Sequence, residues 1–148
     1  MKNSHHLYRI LIFSTAYFPF VGGAEIAVKD ITEKIKDLTE KEKEDYKFDL
    51  ITSRFSRKVS QEEKIGNVSV FRVGLGMKID KYFLPFWGFL KALSLSQRYK
   101  YSGIWAIMAS YNAFAALFFK WLRPNIPFLL TLQEGDSIEH IEKKDPLL

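Results

Sequence analysis

The chain has 148 residues, a formal charge of +5 and no cysteine, and 47% of its residues are hydrophobic. This length and composition fit one domain with a hydrophobic core and exclude a largely disordered chain. The absence of cysteine excludes a disulfide framework and a thiolate metal site, and it fits a reducing, cytoplasmic compartment. His5, His6 and His140 form no cluster of ligands, so we expect no metal site.

The N-terminal part of the chain predicts a strand, a loop and a helix. Residues 8–13 form a short run rich in Ile and Leu, which is typical of a buried parallel strand. Pro19 and the pair Gly22-Gly23 interrupt this pattern. After the glycines, apolar residues recur at helical spacing with charged residues on the other face, which predicts an amphipathic helix over residues 24–38.

The glycine pair stands where this helix begins. The first amide groups of a helix are free and carry the positive end of its dipole. Glycine has no side chain to keep a ligand away, so Gly22 and Gly23 predict an anion site, with phosphate as the usual anion. A simple tight turn explains two glycines equally well. Neither the dinucleotide fingerprint nor the P-loop motif is present.

The remaining segments continue the alternation of strands and helices after an exposed, charged connection. We predict strands over residues 48–53, 67–73, 104–109 and 127–132, a polar loop over 54–66, and helices over 84–99, 113–122 and 137–144. Alternation of this kind predicts an α/β fold with a doubly wound, Rossmann-like parallel sheet of about five strands in the order 3-2-1-4-5.

The predicted strand order brings three loops to one crevice. Ligands of such sheets bind beyond the carboxyl ends of the strands, where the winding reverses. That point lies between the first and fourth predicted strands. Loops 14–23 and 109–112 should therefore form two walls of one crevice, with loop 133–136 beside them.

One half of the chain is basic and aromatic. Residues 81–133 contain no Asp or Glu but several Lys and Arg. Such a segment is either a solvated face around a core or a surface for anionic lipid or a phosphorylated substrate. Part of this half is the predicted helix 84–99, whose apolar face is expected to pack on the sheet. Alternatively, the segment from Phe83 to Lys100 lies against a membrane. The buried face predicted for helix 84–99 carries Phe86, Phe89, Leu90, Leu93 and Leu95.

An uncharged stretch, residues 101–119, is about as long as a membrane span. Polar residues and a glycine divide it into two patterns. We interpret it as a buried strand followed by a helix rather than as a transmembrane segment.

The glycine loop is similar in sequence to a known family. Residues 17–25 read YFPFVGGAE. Enzymes of glycosyltransferase family 4 usually open with a strand, a Tyr-x-Pro-x-x-Gly-Gly-x-Glu loop and a helix. The chain matches this pattern at Tyr17, Pro19, Gly22, Gly23 and Glu25. The resemblance implies the N-terminal domain of a GT-B fold, in which two doubly wound domains face each other across a cleft.

The resemblance also implies a function. The chain would be the acceptor-side domain of a retaining glycosyltransferase that moves a sugar from a nucleotide-sugar donor to a sugar or lipid-linked acceptor, with no metal or other cofactor. Gly22 and Gly23 would approach the donor phosphates. The acceptor side of the cleft would be lined by Tyr17, Glu25, Ser110, Asn112, Gln133, Glu134 and Asp136.

Each of these polar side chains has a simpler alternative role in a turn or a helix cap. This holds above all for Asn112 and Asp136, because Asn and Asp favour such positions locally. Glu25 complements the helix dipole. A carboxylate would repel phosphate there, so we expect Glu25 to turn away or to bind a hydroxyl.

The chain departs from the family pattern in two respects. Apolar residues such as Trp105, together with Gln133 after the last strand, replace histidines of the family. The Glu-x7-Glu element of the second domain is missing. We therefore expect residues 1–148 to be a single N-terminal domain that needs a missing C-terminal domain or subunit as its partner. Alone it should transfer sugar negligibly, because orienting two reactants needs both walls of the cleft.

Two functions of other classes are alternatives. The first is a stand-alone, non-enzymatic binding module at the inner face of a membrane. The second is a dehydrogenase-like nucleotide-binding domain, which the missing fingerprint and the lack of an acidic residue after Ile51-Thr52-Ser53 argue against. No nucleic-acid motif accompanies the basic charge, so we expect no nucleic-acid partner.

Overall fold

A computed structural model of the chain describes residues 6–40, 42 and 44–132. The elements in chain order are β1 (His6–Phe13), α1 (Gly23–Thr39), β2 (Glu44–Ser53), β3 (Glu62–Ile65), β4 (Val68–Val73), α2 (Asp80–Arg98), β5 (Gly103–Ile107), α3 (Tyr111–Leu122) and β6 (Phe128–Thr131). The predicted helix at 137–144, and with it Gln133, Glu134 and Asp136, lies outside these described residues.

The strands form a six-stranded sheet in the order β3-β4-β2-β1-β5-β6. All neighbours are parallel except β3 and β4. The five predicted strands correspond to β1, β2, β4, β5 and β6, so the doubly wound α/β fold and the order 3-2-1-4-5 are confirmed. The winding reverses between β1 and β5, as expected.

The prediction of a loop over residues 54–66 was wrong in part, because β3 lies within it. β3 pairs antiparallel with β4 at the edge of the sheet, and Ile65 lies opposite Val68. Gly66 between them has a φ of 58°, which suits a tight hairpin turn. This strand was not predicted because its sequence, EEKI, is mostly charged. Its side chains are mostly exposed at the edge of the sheet, so the sequence carries no apolar pattern.

The two faces of the sheet bury separate hydrophobic clusters. Leu11 and Phe13 of β1 pack beneath α2 and α3, whereas Ile12 packs beneath α1 on the other face. Alternate residues of one strand therefore enter both clusters, which is why the strand reads as a continuous apolar run. Each fully buried side chain of this size stabilises the fold by about 1.5–3 kcal/mol.

The buried face of α2 differs from the predicted one. Phe86 and Leu90 point outward, Phe89 and Leu93 are partly buried, and only Leu95 is fully buried as predicted. Small residues line the contact with α3 instead. A Cβ added to Gly88 would lie 3.1 Å from the Cβ of Ala115, so the two helices approach closely and the aromatic side chains are turned to the surface. The buried stripe consists of Asp80, Leu84, Gly88, Ala92 and Leu95.

The uncharged stretch 101–119 divides into β5 and the first part of α3, as predicted. Among the residues that the structure describes, no helix is both long and apolar enough to cross a membrane.

A buried ionic group links β1, β2 and the start of β5. Asp49 is completely buried, and Arg9 binds both of its oxygens, from Nε at 2.7 Å and from Nη2 at 3.1 Å. The Tyr101 hydroxyl donates to Asp49 Oδ2 at 2.7 Å. The Arg9 guanidinium also lies 3.5 Å from the centre of the Tyr99 ring. Burial lowers the pKa of Arg9, but the hydrogen bond and the charge of Asp49 outweigh this effect and raise it.

Candidate functional site

The loops that follow β1 and β5 meet at the carboxyl edge of the sheet. Asn112, at the start of α3, donates from Nδ2 to the carbonyls of Phe13 at 2.8 Å and Ile107 at 2.9 Å. Its Oδ1 accepts a hydrogen bond from the Thr15 hydroxyl at 2.9 Å. The predicted meeting of loops 14–23 and 109–112 is therefore confirmed, at the point where the winding reverses.

The same bonds correct the role expected for Asn112. Its side chain is completely buried, so it joins the two walls of the crevice and does not line the cleft. The alternative role of Asn112 in a turn or a helix cap is closer to what the structure shows, although Asn112 bridges the ends of β1 and β5.

Ser110 and Met108 lie at the exit of β5. Ser110 occupies the N-cap position of α3 and, in the described part of the chain, makes no side-chain capping bond. It is partly exposed. Met108 has a φ of 65°, a left-handed conformation that is uncommon for a residue with a side chain. Such conformations concentrate at functional sites, and the sequence analysis had not singled out Met108.

Glu25 closes the start of α1. Its Oε2 accepts a hydrogen bond from the backbone amide of Gly22 at 2.6 Å. The carboxylate complements the helix dipole as predicted, but it neither turns away nor binds a hydroxyl within the described residues. One amide of the predicted anion site is therefore already occupied by a carboxylate.

The second glycine is open. A Cβ added to Gly23 would meet no atom of the described residues within 4 Å, whereas one added to Gly22 would lie 3.2 Å from Glu25 Oε2. The backbone of Gly23 is thus accessible to a ligand. The absence of a side chain at Gly22 leaves room for the Glu25 carboxylate that binds the Gly22 amide.

Tyr17 does not line the crevice. Only 1% of it is exposed, and its ring packs edge-to-face on Phe18 at a centroid distance of 5.1 Å. Its hydroxyl has no hydrogen-bond partner among the described atoms. Burial, followed by the charges of Glu33 and Glu25, raises the pKa of Tyr17 to about 12. Burial therefore favours the neutral, protonated form of this hydroxyl.

An open pocket of about 650 Å³ lies beside the glycine loop. One wall is the glycine loop, and the other is formed by the loop after β2 and the start of α2. Lys78 and Lys81 lie in this wall. Both precede the predicted helix 84–99, and the sequence analysis did not identify either of them as a site residue. Only the fold brings them into one pocket with Gly22. The pocket is lined by Ala16, Phe20, Val21, Gly22, Glu25, Phe55, Lys78 and Lys81.

Comparison with known proteins identifies a shared fold. The chain superimposes on a solved structure of sucrose-phosphate synthase from Thermosynechococcus elongatus with a TM-score of 0.60 and 15% sequence identity. The match covers 94% of this chain and 35% of that chain, so this chain spans about a third of that protein's length. That protein is a GT-B glycosyltransferase. No protein-family model and no curated protein matches the chain.

Proposed function

We propose that the chain is the acceptor-side domain of a retaining glycosyltransferase that uses a nucleotide-sugar donor. The observation that carries the proposal is the position of the glycine loop. It opens α1 at the carboxyl edge of the sheet, where the winding reverses and where ligands of such sheets bind. The fold shared with sucrose-phosphate synthase supports this reading.

The open glycine has a definite role in this proposal. The backbone at Gly23 approaches the donor phosphates, because no neighbouring atom shields it and the amides there carry the positive end of the helix dipole. Gly22 shares this wall, although its amide is held by Glu25. Ser110 belongs to the acceptor side, and Gln133, Glu134 and Asp136 are proposed to complete that side. No metal or other cofactor takes part.

This domain supplies one wall of the proposed cleft. A second domain or subunit would supply the other wall and most contacts to the nucleotide. Because both reactants must be oriented together, the 148-residue chain should bind donor weakly and transfer sugar negligibly by itself.

Replacing Gly23 with leucine tests the donor site. Its side chain would project into open space, so the fold should be unaffected while ligand access is lost. We expect UDP-, ADP- or GDP-hexoses to shift the backbone amide signals of residues 22–25 in nuclear magnetic resonance spectra of the wild type, with roughly millimolar affinity. The Gly23→Leu variant should show no such shifts.

Lys34→Leu is the matched control, because it places the same side chain at an exposed position further along α1. Shifts that persist in Gly23→Leu would contradict the donor site. Submicromolar donor binding by this chain alone would contradict the division of roles between two domains.

A membrane-docking module is a second candidate, favoured by the outward aromatic face of α2. Phe86 is 57% exposed and Trp87 43% exposed. This aromatic face continues onto α3 through edge-to-face ring pairs. Tyr82 of α2 contacts Tyr111 of α3 at a centroid distance of 5.1 Å, and Phe89 contacts Phe118 further along the two helices. Exposed aromatic side chains beside lysines are typical of helices that lie in a membrane interface.

Flotation with phosphatidylglycerol-containing vesicles tests this candidate. We expect Phe86→Ser and Trp87→Ser each to reduce vesicle binding severalfold, because each removes apolar area from the interface. Ile26→Ser on α1 removes another exposed apolar residue and should leave binding unchanged. Equal flotation of the wild type and both aromatic variants would eliminate the membrane-docking candidate.

A further inference from the structure

A buried arginine joins the glycine loop to the hairpin that β3 and β4 form. Arg72 lies near the end of β4 and is buried. Its Nη2 donates a hydrogen bond to the carbonyl of Phe18 in the glycine loop, and its Nη1 donates one to the carbonyl of Ser60, each at 2.7 Å. Nη2 also contacts the carboxylate of Glu63 in β3. One guanidinium group therefore connects two segments that are far apart in the chain.

The middle of the glycine loop has few other attachments. Tyr17 is anchored by its burial, and the ring of Phe20 packs edge-to-face on Phe55 at a centroid distance of 5.7 Å. Among the residues with a described position, the bond from Arg72 is the one hydrogen bond that joins residues 17–21 to a strand or helix. The glycines that follow do not fix the loop themselves, because glycine tolerates many backbone conformations.

The loss of this guanidinium would affect the loop more than the hairpin. The side chain of Arg72 is 1% exposed, whereas that of Glu63 is 39% exposed. Without Arg72, the Glu63 carboxylate can turn to water. The carbonyl of Phe18 would lose its donor, and an unpaired polar group inside a protein is costly. The loop can relieve this cost only by moving the Phe18 carbonyl towards solvent.

We propose that Arg72 is a positioning residue, which holds the glycine loop in the conformation that leaves Gly23 open to a ligand. Its own side chain is buried, so it acts through the Phe18 carbonyl and not by touching the ligand. A displaced Phe18 would move the chain that leads to Gly23 and to the first amides of α1. The inference rests on the proposed function for the identity of the ligand. The position of the loop can be measured without any ligand.

Arg72→Met tests the inference in two measurements on the full chain. Without ligand, the amide signals of residues 17–23 should move, whereas those of β5 and α3 should keep their wild-type positions. With UDP-glucose, the shifts at residues 22–25 should need about tenfold more ligand, because only molecules with the loop in place can bind. Arg72→Lys keeps the cation but loses the fork that reaches two carbonyls, so it should reverse part of both changes.

Val68→Ala is the matched control. Val68 is completely buried at the start of β4, so its truncation destabilises the same strand without removing a polar contact. This variant should keep the loop signals and the UDP-glucose affinity of the wild type. If Arg72→Met behaves in the same way, Arg72 supports only the fold and the inference is overturned. If Arg72→Met does not fold, Arg72→Lys takes its place, and loop signals identical to the wild type would overturn the inference.

The measurement without ligand keeps this inference distinguishable from the proposed function. If the wild type shows no UDP-glucose shifts, the proposed function fails, while moved loop signals in Arg72→Met still support the positioning role. If both proteins bind UDP-glucose equally, the positioning role is overturned and the proposed function stands. Weaker binding with unmoved loop signals would also overturn the inference, because Arg72 would then not act through the loop.

Discussion

Replacing Arg9 with methionine is expected to lower the free energy of unfolding by about 3–5 kcal/mol, because it leaves the buried Asp49 carboxylate without its charged partner. Arg9 binds both oxygens of Asp49, a residue of β2 that is completely buried. The Tyr101 hydroxyl that remains can donate only one hydrogen bond. Urea unfolding followed by circular dichroism measures the loss.

Three further variants show whether the cost comes from the uncompensated charge. Tyr101→Phe removes one hydrogen bond to a charged group and should cost about 1.5–3 kcal/mol. Arg9→Lys keeps the charge but loses the bidentate geometry and the contact with Tyr99, so its cost should lie between zero and that of Arg9→Met. The double variant Arg9→Met, Asp49→Leu removes both charges and should be more stable than Arg9→Met alone. If Arg9→Met lowers the free energy of unfolding by less than about 1 kcal/mol, the loss is only what an exposed ion pair would give, and the prediction is contradicted.

Replacing Asn112 with alanine is expected to lower the free energy of unfolding by about 3 kcal/mol, because it leaves buried polar groups unpaired. The carbonyls of Phe13 and Ile107 lose their donor, and the Thr15 hydroxyl loses its acceptor. These groups end β1 and β5, so the walls of the crevice should also lose their alignment. We expect large changes in the amide signals of residues 14–23 as well as a lower thermal midpoint.

Thr15→Val gives the matched comparison for Asn112. It removes one hydrogen bond of the same group and should cost about 1 kcal/mol, with smaller spectral changes. If Asn112→Ala is as stable as the wild type and the signals of residues 14–23 do not move, Asn112 does not hold the two loops together.

The elements with strong local patterns were predictable. The apolar run of β1, the glycine loop and the apolar spacing of α1 are all local features, and the structure places them as expected. The edge strand β3 was missed because its exposed, charged side chains carry no burial pattern. The outward face of α2 was also missed. Hydrophobicity alone favours burying the side chain of Phe86. Close contact between α2 and α3 favours burying Gly88 instead, and the sequence does not show that these two helices pack so closely.

The site was predictable to the level of loops but not of side chains. The alternation of elements predicts a doubly wound sheet, and the usual strand order of such a sheet brings these loops together, as the structure shows. The direction of each side chain depends on contacts between residues far apart in the chain. Asn112 turns inward because two strand ends offer unpaired carbonyls, and Tyr17 packs into the core. Lys78 came to the pocket only through the course of the segment before α2.

The sequence by itself determined the fold class, the strand order and the place of the glycine loop, because these depend on local periodicity and on the rules for connecting parallel strands. Only the tertiary structure decided which face of α2 is buried, which polar side chains join the walls and which reach the pocket. Those outcomes depend on how closely two surfaces approach and on which buried polar groups still need a partner.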